Sequence, residues 1–174
     1  MRYVVILSLS LLAASPVYAM DGFSVAAGVM ALTNSSKQGG QGSAGSTILT
    51  QTDATYHMDW WGAGLYVQYD KQGGNETDFA AGPELELTYD PFYLELGYAV
   101  VMKRAFTDRA IAEQTGTGMT VGLGARFPLD GGPMFLQFSY NYRQESVTKQ
   151  DGKALDEQVT QIDGYPLFGL GVSF

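Results

Sequence analysis

One histidine stands in this chain, His57, and Asp53, Thr55 and Asp59 accompany it at every second position. In an extended segment that spacing puts all four side chains on one face. A carboxylate beside an imidazole can polarise it for proton transfer, the first requirement of a general base. A hydrolase would also need a nucleophile. No serine adjoins His57 in sequence, so Ser24 or Ser139 would have to approach across the fold. The plainer reading is an interior histidine bonded to neighbouring acids, and we expect no catalytic residue.

The second constellation is ionic. Glu84, Glu86 and Glu95 fall on the polar side of two consecutive alternating segments, and Arg126 and Arg143 are the only basic residues that the same alternation places on that side. An unpaired buried ion is costly, and a guanidinium can hold two carboxylate oxygens at once. Glu84, Glu86, Glu95, Arg126, Arg143, His57 and Asp53 are therefore expected to share one interior charge cluster that fixes the fold as a plug. Because the acids outnumber the arginines, a gated cation path or a metal site is the rival reading. No EF-hand-like spacing is present, and we expect neither metal nor cofactor.

These residues must be positioned by strands. Period-two alternation of bulky apolar with small or polar residues recurs in eight segments, at about 22–32, 50–60, 63–70, 78–89, 92–102, 118–127, 133–144 and 165–174. In the fifth, Phe92, Leu94, Leu96, Tyr98, Val100 and Met102 oppose Tyr93, Glu95, Gly97 and Ala99; in the sixth, Met119, Val121, Leu123, Ala125 and Phe127 oppose Thr120, Gly122, Gly124 and Arg126. Pro83 falls on the apolar side of the fourth and suggests a bulge or bend. Three connections, Trp60 to Gly62, Asp90-Pro91 and Leu129 to Gly132, are tight turns; the other four, Thr33 to Leu49, Lys71 to Thr77, Lys103 to Thr117 and Glu145 to Gly164, read as mostly longer, polar loops. Residues Ser35 to Ser46 are rich in Gly, Ser and Gln, so a flexible tip is expected there. Lys103, Arg104 and Arg109 make the third loop basic.

Both ends of the chain point to export. Met1 and Arg2 precede an apolar run from Tyr3 to Ala14, and Val17-Tyr18-Ala19 sets small residues at the two positions a signal peptidase reads, so cleavage after Ala19 is expected. Residues 1–19 are then a signal peptide and 20–174 a single domain. No later stretch approaches the ~20 apolar residues of a membrane helix, which leaves a closed barrel as the way this chain would cross a bilayer. At the other end Phe168, Leu170, Val172 and Phe174 alternate with Gly169, Gly171 and Ser173 up to the last residue.

Composition agrees. The absence of cysteine excludes a disulfide scaffold, and a net charge of −8, or −9 once Arg2 leaves with the leader, excludes nucleic acid as a natural partner. The 22 glycines disfavour helix, and the aromatics, 9 Phe, 11 Tyr and 2 Trp, favour strands and membrane interfaces. An eight-stranded barrel has an interior that side chains just fill, so the small and polar set belongs inside and the apolar set faces lipid. Trp60, Tyr89, Phe92, Phe127 and Phe174 would form an aromatic girdle at the turn end; Phe79, Tyr69, Tyr142 and Phe106 would form the other.

The terminal aromatic strand, the even strand count and the alternation of short turns with longer loops resemble small bacterial outer-membrane β-barrels of the OmpA, OmpX and OmpW type. That resemblance covers the whole mature sequence and implies an all-β, eight-stranded antiparallel transmembrane barrel in the cell outer membrane, termini periplasmic and long loops extracellular. It implies outer-membrane lipid, lipopolysaccharide and the barrel-assembly machinery as partners, with Phe168, Leu170, Val172 and Phe174 as the assembly signal, and a monomer. The basic third loop would meet lipopolysaccharide phosphates. Such barrels serve as anchors, adhesion or defence factors, narrow channels and lipid A modifying enzymes. The His-x-Ser pattern of the lipid A deacylase type is not found, so a structural or surface-interaction role is expected, with a narrow pore and a lipid-modifying enzyme as alternatives.

Overall fold

The computed structural model describes residues 21–38, 41–73, 75–107 and 112–174, without the side chains of 32–38 and 41–46. The expected signal peptide, residues 39–40 of the expected flexible tip, and Arg109 lie outside the described residues. Eight strands follow one another: β1 (Gly22–Gln38), β2 (Gln41–Met58), β3 (Trp61–Gln72), β4 (Glu76–Tyr89), β5 (Phe92–Phe106), β6 (Glu113–Pro128), β7 (Met134–Gln150) and β8 (Lys153–Ser173). Each pairs antiparallel with the next, and β1 also pairs with β8, from Ser24↔Ser173 to Val29↔Phe168, so the sheet closes into a barrel with no free edge.

The partition of side chains is inverted relative to a water-soluble protein. Leu65 and Leu123 are 63 % and 65 % exposed, whereas Asn141 and Glu86 are 0 % and 2 % exposed. A continuous exposed apolar surface of this kind marks a face meant for an apolar partner. Inside, glycines make room for rings: a Cβ on Gly124 would collide with the Tyr93 ring, one on Gly171 with the Phe135 ring, and one on Gly97 would lie 2.9 Å from Tyr66 Cε1. The many glycines of the inward face are thus the counterpart of a few large inward aromatics.

Four expectations are corrected. First, the longer connections are largely strand. β1 and β2 stay paired to Gln38↔Gln41, and β7 and β8 to Gln150↔Lys153. The loop assignment followed the loss of apolar alternation, but backbone pairing between strands needs none. Asp151 and Gly152 close the β7–β8 hairpin with positive φ of 48° and 76°, the Asp-Gly signature of a tight hairpin turn. Second, Met102 points inward. The register of β5 slips against both neighbours, between Gly97 and Val101 on the β4 side and between Ala99 and Met102 on the β6 side. Val100 and Val101 are consequently both exposed, and everything beyond them changes face. Pro83 lies opposite this bulge. Third, Asp59 does not share the face of His57, because it occupies the β2–β3 turn with φ 57° and is exposed. Fourth, Ala125 is buried although its register is outward, since the larger Phe92 and Phe138 flank it on the adjoining strands.

Candidate functional site

The lumen is filled by three groups of polar residues, ordered along the strands from the turn end to the hairpin end. At the turn end, Arg126 of β6 reaches across to Glu86 of β4 and engages both its carboxylate oxygens. Arg126 also donates through Nε to Gln137 Oε1 at 3.2 Å, and its guanidinium carbon lies 4.3 Å from the centre of the Tyr93 ring and 5.4 Å from that of Phe135. A planar cation between aromatic faces and a bidentate acid satisfies charge and geometry together. His57 stands beside this pair. Its Nδ1 is 3.6 Å from Glu86 Oε1, and its Nε2 is 2.8 Å from Ser24 Oγ on the neighbouring β1. The serine does not have to cross the barrel, contrary to expectation, because β1 and β2 are adjacent and Gly22 pairs with His57.

The second group is acidic. Asp53 of β2, Glu84 of β4 and Glu95 of β5 each bring a carboxylate oxygen within 4.8 Å of the other two. Gln51 Nε2 donates to Asp53 Oδ1 at 2.8 Å and to Glu95 Oε1 at 3.2 Å, and Thr55 Oγ1 donates to Glu84 Oε1.

Towards the hairpin end lie two further arginines. Arg143 donates to Asp70 Oδ2 at 2.9 Å and lies 3.2 Å from Glu145 Oε1 and 3.5 Å from Asp163. Arg104 holds Asp78 in a fork, Nε to Oδ1 at 2.7 Å and Nη2 to Oδ2 at 2.9 Å, and adds Glu145 at 2.6 Å, Glu76 at 3.3 Å and Gln161. Tyr165 Oη donates to Gln68 Oε1 at 3.1 Å beside them. Cavities among the described residues open on the lumen at both ends: one of about 390 Å³ at the turn end reaches Arg126, and at the hairpin end one of about 140 Å³ is walled by Asp70, Arg143 and Tyr165 and one of about 370 Å³ by Glu76, Arg104 and Gln161.

The seven cluster residues named from sequence all line the lumen, but not as one cluster. Glu86 meets Arg126 and His57; Asp53, Glu84 and Glu95 meet one another; Arg143 belongs with Asp70 and Glu145 instead of with Glu84 or Glu95. Sequence reasoning missed Arg104 as an interior residue and placed it in a basic loop, since only the bulge turns it inward. Lys103, from the same segment, pairs with Glu113 at 2.6 Å. Glu145 was legible: it continues the alternation of Gln137, Ser139, Asn141 and Arg143 by one step. At the chain end, Phe174 exchanges backbone hydrogen bonds with Phe23, at 2.7 and 3.3 Å, and their rings lie 6.4 Å apart.

Neither protein-family models nor curated proteins give a match to this chain. Among solved structures it is similar to the crystal structure of Neisserial surface protein A, with a TM-score of 0.57 and 16% sequence identity over 88% of this chain and 98% of that one. At that identity the likeness is one of fold, and it extends over nearly the whole of both chains.

Proposed function

We propose that this chain is an integral outer-membrane β-barrel with a structural or surface-interaction role, its lumen closed by its own ion pairs and its long hairpins presented outside the cell. The observation that carries this reading is the inverted partition: apolar side chains exposed around the barrel wall, polar and charged ones buried within it. The cavities at both ends lead to paired arginines, Arg126 at one end and Arg143 and Arg104 at the other, which supports a plug over a pore. The likeness to a surface protein of the same fold is consistent with this role. Export, periplasmic termini and insertion by the barrel-assembly machinery belong to the same proposal, as do surrounding lipid and lipopolysaccharide and a monomeric state. Lys149 and Lys153 flank the β7–β8 turn. Labelling intact cells with an amine reagent that does not cross membranes should modify this hairpin; labelling only after lysis would contradict the orientation.

One observation favours a hydrolase as the second reading. Ser24, His57 and Glu86 stand in the order of a nucleophile, base and orienting acid. Against it, Glu86 is already engaged by Arg126, and Ser24 is 3 % exposed. A fluorophosphonate probe should leave the folded protein unlabelled; labelling lost in Ser24→Ala would establish the hydrolase instead.

A further inference from the structure

The lumenal acids fall into two kinds. Glu86, Asp70, Asp78 and Glu145 each contact an arginine. Asp53, Glu84 and Glu95 take part in none of the ion pairs among the described residues, although all three are buried and converge within 4.8 Å. Three carboxylates in a closed space repel one another unless something positive lies between them. Other polar atoms at the cluster are also unmatched. Gln51 is held there by its two donated bonds, yet its Oε1 has no hydrogen-bond partner, and neither has Glu84 Oε2. Asn141 Oδ1 is likewise unpartnered and fills the space beside Gly122, where a Cβ would lie 3.5 Å from Glu95 Cβ.

We infer that Asp53, Glu84 and Glu95, with Asn141 Oδ1 and with Gln51 Oε1 once its amide turns over to bring that oxygen where Nε2 now donates, form a binding site for one divalent cation of calcium size at the centre of the lumen. The donors are all oxygen, which selects a hard cation over zinc or copper. Calcium bonds at roughly 2.3–2.6 Å, so ligands on opposite sides stand about 5 Å apart, matching the span of the three carboxylates. Magnesium demands a tighter octahedron and sheds its water reluctantly, so it fits less well. His57, the one nitrogen ligand nearby, is turned to Ser24 and Glu86. The cation would supply the charge that this middle group lacks, between the arginines that serve the two ends. The site stands on the geometry of the barrel interior and does not depend on where in the cell the barrel resides.

The test is thermal unfolding of the chain refolded in detergent from metal-free and from calcium-containing buffer, so that entry into a closed barrel is not required. Terbium luminescence sensitised by the buried Tyr66 and Tyr93 provides the stoichiometry. Calcium should raise the melting temperature to a plateau at one ion per chain, and terbium should bind in the same ratio and be displaced by calcium. Glu84→Gln and Glu95→Gln, whose folding is verified by heat-dependent gel mobility, should lose the calcium-dependent rise whatever their own stability. Asp156→Asn/Glu157→Gln, on the exposed part of β8, should keep it. A melting temperature independent of calcium with no bound terbium would overturn the site and leave the acids sharing protons. A rise retained in both glutamine variants, or lost in the hairpin variant, would also overturn it.

Discussion

Arg126 and Glu86, 40 positions apart in sequence, form a two-pronged ion pair across the lumen near the turn end of the barrel. Both are almost fully buried, and Gln137, Tyr93 and Phe135 occupy the remaining faces of the guanidinium. Arg126→Ala would leave Glu86 charged and unmatched beside His57, at a cost of about 3–5 kcal/mol. Urea unfolding followed by tryptophan fluorescence in detergent should show that loss, and adding Glu86→Gln to the same chain should recover part of it. A change within error for Arg126→Ala would mean water already solvates the pair.

Leu96 and Gly97 are neighbours that face opposite ways. Leu96→Arg puts a charge on the apolar wall and should cost about 2–4 kcal/mol if it sits at mid-membrane. Gly97→Ala should act through Tyr66, whose Cε1 would lie 2.9 Å from the new methyl, and adding Tyr66→Leu should relieve that crowding. Refolding yields into lipid vesicles compare the two. Equal tolerance at both positions would contradict the assignment of faces.

Arg104 ties Asp78 of β4 to Glu145 of β7 through the hairpin end of the lumen. Its removal should cost less than that of Arg126, about 1–3 kcal/mol, because Glu145 keeps Arg143 at 3.2 Å as a second partner. Amide hydrogen exchange should quicken at the hairpin ends of β4, β5 and β7 and stay slow near Arg126. Uniform quickening would show that the two ionic groups are one cooperative unit.

Phe174 closes the β1–β8 seam through its backbone bonds with Phe23. Deleting it removes the terminal aromatic of a strand that resembles an assembly signal. Insertion into the outer membrane should fall several-fold while synthesis is unchanged, as read from membrane fractions and total protein. Normal insertion would separate the seam from assembly.

The residues that alternate were legible and the residues beyond a bulge were not. Leu65, Glu86, Arg126 and Asn141 all lie on the face that period two assigns, because a wall that is apolar outside and packed with polar groups inside tolerates no slip. Val100 and Val101 break that period, and nothing in two adjacent valines signals which residue is the extra one. Arg104 and Met102 were therefore given the wrong surroundings. The ends of β1, β2, β7 and β8 were hidden for another reason: a strand without an apolar face carries no alternation to read, and only Asp151-Gly152 marked the turn. The pairing of charges was out of reach of the sequence, since it depends on stagger around the barrel. Stagger sends Arg126 to Glu86 and Arg143 to Asp70, leaving Asp53, Glu84 and Glu95 together.

A barrel that sits in the membrane with its lumen closed is tested in both respects at once by planar-bilayer conductance. The unmodified chain should insert without discrete current steps, while Arg126→Ala, with one plug opened, should give small, stable openings. Sizeable steady conductance through the unmodified protein would contradict the closed lumen and establish a pore in its place.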